Sequence, residues 1–223
     1  MPGTAMYFKT TKHENIKFLT AAFALLSFFA TQLPAATILT GKMVRVSTPI
    51  DGNVYAGAGE IYIDALVNGD LTAGAGELTI RDTIRYDLIA GGGRVRIEGV
   101  IGDDLRCGGG DVSLLGQVLG DVLVGSGQLE IGRGAIIYGD LVVGGGEVRV
   151  YGRVLGAIIL AGGTVTFEGE VEQEAKLRGG ELKLDGIFRG PCEIVAGNIT
   201  LGDKAEFHQG SSLLAKRWRA GFF

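Results

Sequence analysis

The chain has 223 residues, a formal net charge of −4 at pH 7, 39 glycines and only two cysteines and two histidines. That length suits one elongated domain rather than two globular ones, and the acidic balance weighs against nucleic acid or an anionic lipid surface as partner. Two histidines, His13 and His208, cannot build a multi-histidine catalytic metal centre.

Residues 1–36 form the first predicted element. Lys9, Lys12 and Lys17 stand against Glu14, an apolar run extends from Phe18 through Phe29, and small residues follow to Ala35 and Ala36. A basic front, a short apolar stretch and a small-residue exit match a secretory signal peptide. The run falls short of the ~20 apolar residues that a membrane span needs. Cleavage near Ala35 or Ala36 is therefore expected, with an uncleaved membrane anchor or a buried capping helix as the alternatives. The protein is accordingly expected in the periplasm or anchored at the envelope, and in the cytoplasm if the segment is not a signal.

From residue 37 to residue 207 one pattern repeats. The first apolar residues after successive glycine corners are Val44, Ile61, Leu78, Val95, Val112, Leu129, Val148, Val165, Leu182 and Ile199. They recur every 17 residues, with one step of 19 at the lengthened corner Gly132-Arg133-Gly134-Ala135. Four more apolar columns keep step with these markers. The column two residues later runs from Val46 to Leu201, and the one six later runs from Ile50 through Ile137 and Phe188 to Ala205. Those seven and five residues earlier include Leu105, Val122, Leu141 and Cys192, and Ala90, Cys107 and Val124. Alternating inward positions are the mark of strands, and a repeat too short to close a core alone must stack on its neighbours. The expectation is an all-β fold: a single-stranded parallel β-helix of ten coils of about 17 residues, each coil three short strands. A right-handed winding follows from the bias of parallel crossovers. Cys107 and Cys192 lie five coils apart, roughly 24 Å along the axis at the strand spacing, too far for a disulfide.

Two outward features stand out. Asp70, Asp87, Asp104, Asp121 and Asp140 occupy one corner in consecutive coils, where stacked carboxylates repel. The plain explanation is that each accepts a backbone N–H in its own turn. The sharper one is a weak metal ladder, with Ca²⁺ as the ion suited to carboxylate oxygens. Secondly, Leu123, Val142 and Ile159 point outward in one column, and Leu119, Tyr138 and Leu155 do so across the corner, an apolar strip fit for self-association. The end, residues 208–223, is basic and aromatic, breaks the repeat, and reads as a cap or tail.

Catalytic chemistry is not legible. Ser113 and Ser126 have no histidine to activate them, and no helix follows the glycine corners to bind phosphate. No catalytic residue, cofactor site or enzyme activity is expected.

The unit Gly-Asp-Leu-x-x-Gly-Gly-Gly-x-Val-x-Ile-x-Gly, clearest at Val100 to Val112 and Tyr138 to Gly152, resembles that of the bactofilins, polymer-forming bacterial cytoskeletal proteins. The resemblance covers about Leu39 to Phe207. It implies a right-handed β-helix that polymerises end to end through its terminal coils without nucleotide. The apparent export signal departs from that family, whose members are typically cytoplasmic with polar tails. The expected function is thus a non-catalytic, self-assembling scaffold at the bacterial cell envelope. An extracytoplasmic binding module or adhesin is the alternative, and an enzyme on envelope polysaccharide a third reading.

Overall fold

The computed structural model describes residues 36–208 and 212–220, and every regular element among them is a β-strand. Each coil supplies one long strand and, in all but one coil of the main run, a two-residue strand. The long strands form one eleven-stranded parallel sheet whose outermost members are Thr37–Val46 and Ser212–Ala220. The short strands stack in a second ladder, which Ile84 bridges as a single residue between Val67 and Ile101. The register is the repeat itself: Val122 pairs with Leu105 on one side and Leu141 on the other. The fold is a parallel β-solenoid.

Its core follows from the alternation. Inward positions carry Val, Ile and Leu, whose branched side chains suit a pleated surface, and Ile61, Leu78, Leu88, Leu105, Leu141 and Val165 are fully buried. Burying each such side chain stabilises the fold by ~1.5–3 kcal/mol. Towards the C-terminal end aromatic rings replace aliphatic chains, and Phe188 lies 4.6 Å from Phe167 and 4.9 Å from Phe207 between ring centroids. Cys107 and Cys192 are both free and buried. Burial pushes their thiols up to about 11 and about 12 from the ordinary 9.0.

Three features differ from the sequence reading. The two strands expected on either side of the glycine corner are one ten-residue strand, because the ladder continues through it: Gly125 pairs with Gly144 and Ser126 with Gly145. Secondly, the third column ends at Phe207, not Ala205, since Phe207 is the residue paired with Phe188. Gly202-Asp203-Lys204-Ala205 is a second lengthened corner. Ala205 N–H bonds Gly202 O at 3.3 Å, as Ala135 N–H bonds Gly132 O at 3.0 Å in the first. Thirdly, the repeat does not break after Phe207. Ser212–Ala220 pairs in parallel with Cys192–Leu201 after a further nineteen-residue step, Ser212 opposite Glu193. The expectation for residues 1–35 lies outside the described residues.

Candidate interaction surfaces

The aspartate corner is stacked as expected, but its bonding runs between coils rather than within turns. Asp104 Oδ1 accepts the N–H of Asp121 at 2.9 Å, Asp121 Oδ1 that of Asp140 at 2.8 Å, and Asp140 Oδ1 that of Ala157 at 2.8 Å. The same bond joins Asp70 to Asp87 and Asp87 to Asp104. An amide heads the series: Asn53 Oδ1 accepts from Asp70 N–H, and its Nδ2 donates to Asp70 Oδ2, both at 3.0 Å. Each carboxylate therefore satisfies a donor at the corner of the next coil, which offsets the repulsion along the column. Arg106 adds a cation, donating to Asp104 Oδ2 at 2.9 Å. No group of three His, Cys, Asp or Glu side chains among the described residues is arranged to hold a metal ion.

Beside this corner lies an apolar face. Leu123, Val142 and Ile159 are register partners, and all three are exposed. Leu119 and Tyr138 are exposed across the corner, whereas Leu155 is half-buried. The column is longer than the sequence reading found. Ile38, Tyr55 and Ile89 continue it towards the N-terminal coil, with Thr72 and Arg106 interposed, and Tyr86 stands beside Ile89. Apart from Met43, every large apolar side chain exposed among the described residues lies on this side of the solenoid. The facing positions two residues further along each strand are Gly57, Gly74, Gly91, Gly108, Gly125 and Gly144, then Ala161.

Those glycines have no internal reason to be glycine. A Cβ at Gly57, Gly74, Gly125 or Gly144 meets no atom within 4 Å. The contrast is Gly127, two residues past Gly125, where a Cβ would stand 2.9 Å from Gly110 O of the preceding coil. Glycine in a strand costs roughly 0.5–1 kcal/mol relative to alanine. Six such positions therefore lower stability by on the order of 3–6 kcal/mol, with nothing gained inside the molecule.

The opposite side is laced with ion pairs. Asp64 bridges Arg45 and Arg81, and Glu170 and Glu172 lie between Arg153 and Arg189. Arg153 holds the Glu172 carboxyl below its usual range. Here the two lengthened corners bracket a groove of about 500 Å³, with Arg133 at one end and Lys204 at the other. Tyr151, Glu168 and Asp185 line one wall and Arg153, Glu170 and Ile187 the other. The groove is self-paired: Arg133 bonds Glu168 at 2.9 Å and lies over the Tyr151 ring, and Asp185 Oδ1 accepts Lys204 N–H at 2.7 Å.

No protein-family model, curated protein or solved structure matches this chain. What can be said of its chemistry therefore rests on the geometry. Ser126 Oγ is buried without a hydrogen-bond partner, so nothing activates it as a nucleophile. No helix long and apolar enough to cross a membrane occurs among the described residues.

Proposed function

We propose that this protein is a non-catalytic, self-assembling scaffold of the bactofilin-like kind, a polymer of solenoids associated with the bacterial cell envelope. The observation that carries this reading is the state of the two ends. Thr37–Val46 and Ser212–Ala220 each pair on one side only among the described residues. A parallel strand with an unpaired edge is a template for another. The apolar columns also run to these ends without a polar cover, for Leu39, Ile50 and Phe207 are only half-buried where their inner neighbours are fully enclosed. Addition of a further copy completes both the hydrogen-bond ladder and the core, and requires no nucleotide. The basic and apolar start of the chain, read as an export signal or anchor, supports an envelope location.

Electron microscopy of the purified protein without nucleotide tests this. Filaments are expected, and discrete short rods at every concentration would overturn it. The groove between the lengthened corners favours a second reading, an extracytoplasmic binding module or adhesin, which short rods would support.

A further inference from the structure

The apolar face has the relief of a self-complementary surface. One column is a ridge: Tyr55, Thr72, Ile89, Arg106, Leu123, Val142 and Ile159. Two residues along each strand runs a trough floored by bare glycine backbone from Gly57 to Gly144, with space above it. Glycine that its own fold does not require marks a place where another backbone or ligand comes close. We propose that this face binds the same face of a second copy, the two solenoids lying parallel, coil level with coil, so that the ridge of each fills the glycine trough of the other. The proposal rests on the self-assembly reading and names the lateral partner and its orientation.

Two arguments select this arrangement. The first is shape. A two-fold axis along the solenoid carries ridge onto trough at equal height, Leu123 of one copy against Gly125 of the next. A two-fold axis across the solenoid instead sets ridge on ridge and leaves both troughs empty. The second is charge. The aspartate corner lies on the ridge side of the face, two residues before Leu123 and Val142. In the parallel pair the two carboxylate ladders fall on opposite rims, whereas ridge-on-ridge packing brings like charges together, which is repulsive. The contact also has a natural end, because the ridge passes to Lys176 and the trough to Arg178 beyond Ile159 and Ala161, and those two cations would face each other.

Size identifies the occupant as a repeating one. Six strand spacings make the strip about 30 Å long. Two side-chain columns wide, it covers roughly 400 Å² per copy, about half of what each partner contributes to a stable dimer. Single molecules pair weakly through such a face, and an end-to-end assembly multiplies the contact along its length.

The test uses single-cysteine variants of the full chain, Leu123→Cys and Gly125→Cys, mixed under mild oxidation. The native thiols at Cys107 and Cys192 are buried and stay silent. The mixture is expected to give a cross-linked dimer in at least tenfold greater yield than Leu123→Cys mixed with Gly91→Cys, two coils out of register. Equal yields from the two mixtures, or stronger cross-linking of Leu123→Cys with itself, would overturn the proposal. Gly74→Gln with Gly125→Gln supplies the second arm. Thermal unfolding at an unchanged or higher temperature, together with loss of the cross-link from Leu123→Cys and Gly91→Cys variants placed in register, Leu123→Cys with Gly125→Cys and Ile89→Cys with Gly91→Cys, is expected when only Gly74 is filled or when Gly144→Gln is substituted beside the reporter pair; full cross-linking despite the filled trough contradicts the proposal. Filament length, scored on the same samples, separates the two readings: cross-linked short rods sink end-to-end growth alone, and long filaments without cross-links sink the lateral pairing alone.

Discussion

At the scale of the residue, the two thiols report burial directly. Desolvation disfavours the thiolate at Cys107 and Cys192. Because the folded values are raised, their contribution to stability is complete below pH 9, the unfolded value, and is lost as pH rises towards 11 and 12. The alkaline loss of stability between pH 8 and pH 10.5 should therefore be smaller in a Cys107→Ala, Cys192→Ala variant, as read from urea midpoints. An identical loss in both proteins would contradict it. The aspartate column makes a second residue-scale prediction. Asp121 Oδ1 is needed as an acceptor rather than as a charge, since Asn53 does the same work as an amide. Asp121→Asn should stay within about 0.5 kcal/mol of the parent, whereas Asp121→Ala should cost about 1 kcal/mol by leaving the Asp140 N–H to water. A calcium titration is expected to leave the melting temperature unmoved, and a clear rise would restore the cation ladder.

At the scale of the coil, glycine does two different jobs a few ångströms apart. Gly127→Ala forces a methyl against the carbonyl of Gly110 and should destabilise by about 1–3 kcal/mol. Gly125→Ala meets nothing and should stabilise the isolated solenoid by ~0.5–1 kcal/mol. Chemical denaturation of the two variants, with opposite shifts in midpoint, checks the assignment, and two losses of similar size would refute it. How much of this was legible in the sequence depends on the range of the interaction. The inward columns were readable because alternation and a 17-residue step are properties of the chain alone. The second long corner was not, because Ala205 is apolar and sits where the column was due, while its true occupant, Phe207, is revealed only by pairing with Phe188. The aspartate bonds were misplaced by one coil for the same reason: the N–H that each accepts is 17 or 19 residues away in sequence and adjacent only in the stack. Ile89 and Tyr86 escaped notice because Arg106 interrupts the strip between Ile89 and Leu123.

At the scale of the solenoid, residues 36–220 divide their surface by function. One side pairs its charges across coils and is finished, the other presents apolar side chains and bare backbone, and both ends expose strand edges. Such a molecule has more to gain by meeting its own kind than by holding a small ligand, and nothing in its chemistry is equipped to make or break bonds. The self-assembly account further requires that coils continue from one copy into the next along a common axis. Fibre diffraction from oriented filaments measures this most directly. The account predicts a reflection near ~4.8 Å along the filament axis, since the strand spacing then runs with the filament. The same reflection lying across the axis, with solenoids stacked side on, would contradict it.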